Sequence, residues 1–352
     1  MPTLLNYEES KPLGTNTFPF VTIIMPIRNE ADFIERSLGA ILTQDYPHSR
    51  MEVLISDGMS TDATRDVIRA QATRHSDVSL TIIDNPGRIV PTGFNLALKQ
   101  RKGEIVVRVD GHTIIAPDYV SECVSALERT GADNAGGRMN AISQTTFGKA
   151  VALATSTPFG VGGARFHYSE HEEWVDTVYM GAWRSKVFDE IGGFDEEFVR
   201  NQDDEFNYRL RANRGKILLS PRIRSDYYPR SSPKALWRQY YQYGVYKVRV
   251  MQKHTRQMQP RHFAPVLLVA GLIVPAILAI LVPATSFVFA GLAGLYIVAN
   301  LSASAITARR SQPSYIFILP FVFAILHLSY GSGFAVGLVR FARRWKQTKK
   351  PA

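Results

Sequence analysis

Three consecutive acidic residues are the clearest candidates for proton-transfer chemistry in this sequence. Asp203, Asp204 and Glu205 follow a glycine-containing turn at residues 191–195. A positioned carboxylate is a suitable general base. The apolar spacing that begins at Phe206 is helical, however, and carboxylates also stabilise a helix N-terminus because they complement the macrodipole. The spacing alone therefore fits either a catalytic base or a charged helix start.

Other polar residues with chemical potential stand directly after apolar runs. Asp110 and His112 are two residues apart, so a carboxylate and an imidazole could reach a common divalent cation. The carboxylate could instead accept a hydrogen bond from a sugar hydroxyl, or the pair could be part of a surface turn. Asp57 precedes Gly58 and fits either a turn or a contact with a base N–H. Asn29 fits a helix cap or a ligand contact.

The elements that would position these residues alternate along the chain. Apolar, β-branched runs at 20–25, 53–55, 80–83 and 104–109 alternate with helical spacing at 31–42, 64–72 and 92–99. This alternation predicts a mostly parallel α/β sheet flanked by helices. Ligands bind such sheets at the carboxyl ends of the strands. We therefore expect residues 26–30, 57–62 and 110–112 to share one edge. Residues 178–183 and 217–219 are predicted to be later strands.

Charge divides the chain into two parts. The formal net charge is +10, but no acidic residue follows Asp226, and 16 Lys/Arg do. The first 226 residues carry 25 Lys/Arg against 31 Asp/Glu. An acidic front part and a wholly basic back part indicate two environments. The basic surplus borders apolar runs, which favours lipid over nucleic acid as its partner.

The single cysteine and the N-terminal residues argue against disulfide-rich, multi-cysteine metal-binding and secreted proteins. Cys123 alone cannot form an internal disulfide framework or a multi-cysteine metal site. The N-terminus carries Glu8, Glu9 and Lys11 and no apolar core, so we expect no secretory signal. The front part is therefore expected to stay in the cytoplasm.

The pattern of residues after Asp226 predicts association with a membrane. Residues 234–251 form an amphipathic pattern of aromatic and basic side chains, which suits a membrane interface, although a core-packing helix is the alternative. No charged residue occurs from Phe263 to Ile306, a length that fits two membrane spans. The turn between them is expected at residues 283–286. A third apolar run at 315–339 carries only His327.

The topology of the third run has two solutions. Three spans that start in the cytoplasm would place six cations of residues 340–350 outside, against the positive-inside rule. Pro320 and the glycines at 331–333 would alternatively permit a re-entrant or broken helix. We favour three spans and leave the topology of this run open.

Taken in order, the motifs resemble those of the family 2 inverting glycosyltransferases of the GT-A fold. The order and spacing agree over roughly residues 20–250. The apolar C-terminal runs resemble the membrane-bound branch that assembles bacterial exopolysaccharides, of the succinoglycan glucosyltransferase type. The matching segments are 21–30, 55–62, 85–88 with Asn95, 103–112, 191–195 and 202–209.

The resemblance implies a role for each matched position. Asp203 falls on the catalytic base, with Asp204 as the alternative. Asp110 and His112 stand where the family has Asp-x-Asp and would hold Mn²⁺ or Mg²⁺, with Asp110 also on the donor side. The imidazole favours Mn²⁺ somewhat. The other implied donor-binding residues are Pro26, Arg28, Glu30, Asp57, Arg88 and Asn95.

The acceptor side departs from the family pattern. Gln239, with Arg238 beside it, falls near the family's Gln-x-x-Arg-Trp, but the Arg-Trp is absent. This absence argues against a processive, cellulose-synthase-like enzyme. We assign Trp183, Arg238 and Gln239 to the acceptor. Arg238, Lys247 and Arg249 are also candidates to meet a lipid diphosphate. Gln202 replaces the usual Glu beside the base, which removes a like charge that Asp204 restores.

The implied protein is an inner-membrane, multi-pass, metal-dependent hexosyltransferase with a cytoplasmic catalytic domain. It would move a hexose from a nucleotide-diphospho-sugar, a UDP-sugar by preference, to a polyprenyl-diphosphate-linked saccharide. A non-catalytic nucleotide-sugar-binding scaffold is the alternative. The implied organisation is a tail (1–18), a catalytic domain (19–230), an interface segment (231–262), a transmembrane region of about three apolar segments (263–340) and a basic tail (341–352).

Overall fold

The computed structural model describes residues 18–257 and 260–346. Apart from Phe18, the expected N-terminal tail lies outside these residues, and the basic tail is described only as far as Lys346. The chain divides into two compact units. One comprises Met1–Asn140 with Ala164–Tyr228, and the other comprises Ala141–Gly163 with Pro229–Ala352. The expected catalytic domain, 19–230, thus ends near the first unit's end, but residues 141–163 belong to the second unit.

Strands and helices alternate in the first part of the chain, as the sequence predicts. Within the described residues the strands are β1 (Val21–Ile27), β2 (Met51–Asp57), β3 (Ser79–Asp84), β4 (Ile105–Arg108), β5 (Thr113–Ile115), β6 (Asn134–Ala141), β7 (Glu173–Trp174), β8 (Tyr179–Arg184) and β9 (Ile217–Tyr227). The helices among them are α1 (Ile34–Leu42), α2 (Thr64–Arg74), α3 (Val90–Leu98), α4 (Tyr119–Thr130), α5 (Thr146–Thr155), α6 (Pro158–Val161), α7 (Lys186–Ile191) and α8 (Gln202–Ala212).

The strands form one mixed sheet. Its order is β3-β2-β1-β4-β8-β6-β9-β5, and β7 pairs with β9. β1 to β4 are parallel, as predicted, whereas β8 runs antiparallel to β4. β1 and β2 are buried at every position, which explains why they appear in sequence as continuous apolar runs.

Each face of the sheet packs against its own hydrophobic core. Odd-numbered residues of β4, such as Val107, join the core that includes α1, α2 and α4. Val106 points the other way, into a core with Phe94 of α3 and Phe206 of α8. Because side chains alternate along a strand, Arg108 shares the face of Val106. This assignment places an arginine on the face that packs against α8.

The second unit is helical and strongly apolar on its surface. Besides α5 and α6, its helices are α9 (Pro233–Lys253), α10 (Pro260–Leu278), α11 (Thr285–Arg309) and α12 (Leu319–Arg340). Two of them, α11 and α12, are long and apolar enough to cross a membrane, and α10 contributes a shorter apolar segment. Leu281, Phe287 and Phe317 are each at least 80% exposed, a pattern typical of surfaces that face lipid.

The amphipathic helix predicted at 234–251 is found, and the connection predicted at 283–286 lies a few residues earlier. α10 and α11 are separated by residues 279–284, and α9 covers the amphipathic stretch. Part of α9 is a packing face, because Leu236 and Val248 are buried while Trp237 is 42% exposed. Lys247 is only 7% exposed, so the structure does not support a role for its side chain in meeting a lipid diphosphate.

Glycines in α12 serve close packing and do not break the helix. α12 continues through residues 331–333 as regular helix, which rules out the broken-helix alternative for this segment. A Cβ atom on Gly333 would lie 2.1 Å from the carbonyl oxygen of Tyr241, and one on Gly244 would lie 2.1 Å from that of Tyr330. The backbones of α9 and α12 therefore touch directly, as small residues allow between membrane helices.

We expect Gly244→Ala to destabilise the second unit. The added methyl would overlap backbone atoms of α12, which cannot rotate away, so the helices must separate at a cost of about 1–3 kcal/mol. The measurement is the thermal unfolding midpoint in detergent. Gly294→Ala on α11 is the matched control, because its Cβ meets no atom within 4 Å. Equal midpoints for the two variants would contradict this packing.

Candidate active site

The carboxyl ends of the parallel strands bring the predicted motifs to one edge of the sheet. Ile27 at the end of β1 is in register with Asp57 at the end of β2. Ile24 of β1 pairs with Arg108, the last residue of β4, so residues 109–112 leave the sheet near the same edge. The first unit therefore assembles the three loops that the sequence predicted to meet.

The loops after β1 and β2 are joined by hydrogen bonds. The side-chain oxygen of Asn29 accepts from the backbone N–H of Thr61 at 2.9 Å, and the Asn29 N–H donates to the Ser60 hydroxyl at 2.8 Å. The Glu30 N–H donates to the hydroxyl of Thr64 at 2.9 Å. Asn29 has a φ of 54°, a left-handed conformation that asparagine tolerates better than most residues. Asn29 thus shapes the loop and does not act as a helix cap.

Asp57 holds the loop after β2 and the side chain of Arg65 through hydrogen bonds to its buried carboxylate. Its carboxylate is fully buried and accepts hydrogen bonds from the Ser60 backbone N–H at 3.0 Å and from Nε of Arg65 at 2.6 Å. Arg65 also reaches Asp84 at the end of β3. A nucleotide base that contacted Asp57 would therefore have to displace one of these partners.

The two predicted donor-side arginines are exposed at this edge. Arg28 follows β1, and its side chain packs over Gly58, where a Cβ would come within 3.1 Å of the Arg28 Cβ. Arg88 follows β3 with a φ of 58°. Pro26 is buried within β1. Exposed cations beside strand ends suit an anionic ligand.

Asn95 holds a turn with its side-chain amide. Its amide accepts from the Phe194 N–H at 2.9 Å and donates to the Phe194 carbonyl at 2.8 Å. The same nitrogen donates to Glu196 at 2.9 Å. The amide is therefore occupied in fixing the turn that precedes α8. This turn also places the Phe194 ring against the guanidinium of Arg108, at 5.7 Å.

Arg108 and Asp110 form an ion pair at the end of β4. Nε of Arg108 lies 2.8 Å from one Asp110 oxygen, and a terminal nitrogen lies 3.2 Å from the other. Arg108 is only 4% exposed. Its second terminal nitrogen is buried without a hydrogen-bond partner in the part of the chain that the structure describes.

Glu30 and His112 form a second pair. Nδ1 of His112 lies 3.2 Å from a Glu30 carboxylate oxygen. If Nδ1 carries the proton, Nε2 is left available as a metal ligand, and a carboxylate on the other nitrogen is the usual support for a metal-binding histidine. The donor set of a carboxylate and an imidazole therefore fits a divalent cation. No group of three potential metal-ligating side chains is present among the described residues.

The acidic cluster lies in the first turn of α8, as predicted, and its members differ in environment. The Asp203 carboxylate accepts from the Asp204 backbone N–H at 3.0 Å. Burial raises the pKa of Asp203 above its ordinary value, and the negative charges of Asp204 and Asp110 raise it further. The positive charge of Arg108 opposes this shift. Arg108 and Asp110 thus shift the pKa of Asp203 in opposite directions.

Glu205 has a structural partner. It is fully buried and pairs with Arg209, one turn further along α8, at 2.7 Å. Arg209 also donates to the carbonyl oxygens of Ile191 and Gly193. The Glu205–Arg209 pair therefore links α8 to the turn around residues 191–194, which the Asn95 amide also holds.

The residues expected to contact the acceptor are not brought together in the first unit. Trp183 is 1% exposed and lies among the rings of Phe94, Phe188, Phe194 and Phe206. Its ring is part of the core, which corrects the expectation that it contacts an acceptor. Arg238 and Gln239 lie on α9 in the second unit, where Gln239 donates to the Tyr243 hydroxyl at 2.9 Å.

Sequence reasoning overlooked Arg108 and Arg65. A charged residue inside the apolar run of β4 was a visible signal, because Arg108 occupies a position whose neighbour Val106 faces a core. Arg65 carried no such signal, since basic residues are ordinary on an exposed helix.

Comparisons with known proteins agree with the fold and with the motifs. The profile of glycosyl transferase family 2 matches residues 22–192. The succinoglycan biosynthesis protein ExoA of Rhizobium meliloti is 30% identical over 329 residues, which is 92% of this chain and 96% of that protein. A dolichyl N-acetyl-alpha-D-glucosaminyl phosphate 3-beta-D-2,3-diacetamido-2,3-dideoxy-beta-D-glucuronosyltransferase of Methanococcus voltae is 29% identical, over 91% of this chain and 98% of that protein.

A solved structure shares the fold. The mannosyltransferase PcManGT from Pyrobaculum calidifontis, in complex with GDP-Man and Mn²⁺, aligns with a TM-score of 0.60 and 20% identity, over 92% of this chain and 88% of that one. The mixed α/β sheet and its flanking helices are thus those of the GT-A fold. The chain belongs to glycosyl transferase family 2.

Proposed function

We propose that this enzyme transfers a hexose from a nucleotide-diphospho-sugar, a UDP-sugar by preference, to a hydroxyl of a polyprenyl-diphosphate-linked saccharide, with inversion at the anomeric carbon. The observation that carries the proposal is that Asp110 and its partner Arg108, at the carboxyl edge of the sheet, both act electrostatically on Asp203 in the first turn of α8. It joins a candidate base to a candidate donor site.

Asp203 acts as the general base. Its carboxylate takes the proton of the acceptor hydroxyl while the hydroxyl oxygen attacks the anomeric carbon. The bond from that carbon to the diphosphate oxygen breaks in the same displacement, and the nucleoside diphosphate leaves. The raised pKa of Asp203 suits this task, because a stronger base accepts the proton more readily. The register of residues 207–209 with the family motif also favours Asp203 over Asp204, the alternative base.

The joined loops after β1 and β2 form the nucleotide side. Pro26 and Asp57 lie at the strand ends, and Arg28 and Arg88 offer exposed positive charge to the donor. The amide of Asn95 serves the donor indirectly, by holding the turn before α8.

A divalent cation belongs to the proposed site. Asp110 and His112 would hold it, and Glu30 would orient the imidazole. When bound, Mn²⁺ or Mg²⁺ neutralises negative charge on the leaving diphosphate. Asp110 would exchange its contact with Arg108 for the cation.

The membrane location and the lipid acceptor are proposed from the second unit and from the relatives. α11 and α12 are candidate membrane spans with large exposed apolar side chains, and α10 adds a third apolar segment. The names of two relatives refer to succinoglycan biosynthesis and to a dolichyl-linked sugar phosphate. We therefore place the protein in the inner membrane with its catalytic domain in the cytoplasm. Arg238 and Gln239 remain the proposed acceptor contacts.

The experiment is a donor panel. Purified protein is incubated with Mn²⁺, radiolabelled UDP- and GDP-sugars and an extract of membrane lipid, and label in the lipid fraction is counted with and without EDTA. We expect one UDP-sugar to label lipid and EDTA to abolish the transfer. Donor binding without transfer or hydrolysis, across the whole panel, would favour the scaffold alternative.

The rate should depend on pH through Asp203. A base must be deprotonated, so activity is expected to fall as the pH falls through the pKa of Asp203. Because that pKa is raised, the acidic limb should lie above pH ~4, the ordinary value for aspartate. The measurement is kcat between pH 4 and 9 with the active donor. A limb at or below pH ~4 would contradict the assignment of Asp203 as the base.

A further inference from the structure

The inference concerns α12 and its orientation relative to the membrane. α12 is 22 residues long and almost wholly apolar, but 50% of its most apolar stretch is buried in the protein, against 6% for α11. A helix that is apolar on all sides is either a membrane span or a helix buried within a protein. The elements that pack on α12 distinguish these two arrangements.

α9 lies beside α12 and runs in the same direction. A Cβ on Gly333 would lie 2.1 Å from the carbonyl oxygen of Tyr241, so the two backbones touch. Further along both helices, the buried amide of Gln252 donates to the carbonyl oxygen of Phe341 at 2.9 Å. Because the contacting positions advance together along the two helices, α9 and α12 are close to parallel. They must therefore have the same orientation relative to a membrane.

α9 is not suited to span a bilayer. Its 21 residues include five cations, which are Lys234, Arg238, Lys247, Arg249 and Lys253. Charged side chains are costly inside hydrocarbon, whereas an amphipathic helix with aromatic and basic residues lies in the plane of the interface. The composition of α9 is therefore that of a surface helix, and α12 shares its orientation.

The middle of α12 is bonded to a short segment from elsewhere in the chain. Nε2 of His327 lies 2.7 Å from the carbonyl oxygen of Phe159, whose ring packs edge to face on that of Phe323. Phe159 belongs to α6, a four-residue helix within residues 141–163, and the chain on both sides of these residues belongs to the first unit. If α12 crossed the bilayer, α6 and its flanking loops would have to reach the bilayer centre beside His327. This arrangement is unfavourable, because loops in contact with hydrocarbon leave backbone groups without hydrogen bonds.

α12 packs on the halves of α10 and α11 that are remote from their connection. A Cβ on Gly331 would lie 2.2 Å from the carbonyl oxygen of Pro265, and the Asn300 amide donates to the carbonyl oxygen of Pro320 at 3.0 Å. Beside the connection, Leu281 is 81% exposed. α10, with 19 residues, is about 28 Å long, so the α10–α11 hairpin can itself span hydrocarbon. α12 therefore lies across the base of this hairpin.

We propose that, of the described helices, only α10 and α11 cross the membrane, and that α12 lies with α9 at the cytoplasmic surface of the bilayer. The partner of this surface is lipid, because Phe321, Val336 and Val339 of α12 are exposed and can enter the boundary between headgroups and acyl chains. Both ends of α12 and the basic residues that follow it then stay in the cytoplasm, as the positive-inside rule requires. The inference rests on the proposed function for the cytoplasmic position of the first unit.

The test is chemical labelling of single cysteines in the full chain, expressed in bacterial spheroplasts. All variants carry Cys123→Ala, because this buried cysteine is the only one in the chain. Exposed positions then receive a cysteine one at a time, with Ala284→Cys at the connection between α10 and α11, Ser314→Cys before α12 and Ala342→Cys after it. A membrane-impermeant maleimide is added to intact or lysed spheroplasts, and labelling in SDS gives the maximum for each variant.

We expect Ala284→Cys to be labelled in intact spheroplasts, and Ser314→Cys and Ala342→Cys to be labelled only after lysis. Ser314→Cys is the matched control, because it is cytoplasmic whether α12 crosses the membrane or not. Labelling of Ala342→Cys in intact spheroplasts, or its absence after lysis, would overturn the inference. An Ala284→Cys variant that is not labelled in intact spheroplasts would also overturn it, because the hairpin would not cross.

Donor transfer is measured in the same membranes, which separates this inference from the proposed function. An active protein in which Ala342→Cys is labelled from outside would overturn the inference alone. The expected labelling in a protein that neither transfers nor hydrolyses any donor of the panel would overturn the proposed function alone. Labelling of Ser314→Cys in intact spheroplasts would overturn the cytoplasmic location of the first unit, and the inference with it.

Discussion

Asp203→Asn should lower the transfer rate by about a thousandfold while leaving donor binding within about threefold of the wild type. The amide keeps the size of the side chain but cannot accept the proton of the acceptor hydroxyl, and general-base catalysis contributes about 10²–10⁴-fold. The measured quantities are kcat for formation of the lipid-linked product and the affinity for the donor, from titration of the protein with donor in the presence of Mn²⁺.

Asp204→Asn is the matched control for this substitution. It removes a neighbouring negative charge that raises the pKa of Asp203, so the acidic limb should move slightly downwards and kcat should change less than about 10-fold. If Asp203→Asn were fully active and Asp204→Asn inactive, the base would be Asp204. Loss of donor binding in Asp203→Asn would instead mean that Asp203 belongs to the nucleotide side.

Glu205→Gln is expected to act on stability. Glu205 is fully buried against Arg209, so replacing it leaves the arginine without its charged partner and should cost about 3 kcal/mol. For the first unit this corresponds to a fall of roughly 6–12 °C in the thermal midpoint, which differential scanning calorimetry measures.

The control for Glu205→Gln is Asp66→Asn. Asp66 pairs with Arg69 on the exposed face of α2, where an ion pair contributes about 0–1 kcal/mol. Its midpoint should match the wild type within about 2 °C. A Glu205→Gln variant that melts normally but has lost activity would contradict the division of roles within the acidic cluster.

The cluster shows what sequence alone predicts and where it stops. The first turn of a helix carrying three acids was predictable, because macrodipole and apolar spacing are local properties. The separate roles of Asp203 and Glu205 were not. They depend on Arg108 and on carbonyl groups of the turn before α8, which fold against the helix.

The same distinction explains the rest of the fold. β1 to β4 and α1 to α3 were predicted because buried parallel strands and amphipathic helices have clear periodicity. Trp183 was misjudged, since its ring environment comes from helices distant in sequence. The glycines of α12 suggested a break, because a glycine that meets a neighbouring backbone cannot be recognised without that neighbour.

The hydrogen bonds that join the loops after β1 and β2 have a consequence for selectivity. Asn29, Ser60 and Thr61 are bonded to one another through protein atoms alone. A donor that binds there does not have to order these loops, because their conformational entropy was already lost when the protein folded. On such a rigid surface, a base with the wrong hydrogen-bond donors and acceptors leaves protein groups unpaired. It is therefore rejected more strongly than it would be by a flexible surface. If this edge binds the nucleotide as proposed, the choice of nucleotide should therefore be strict.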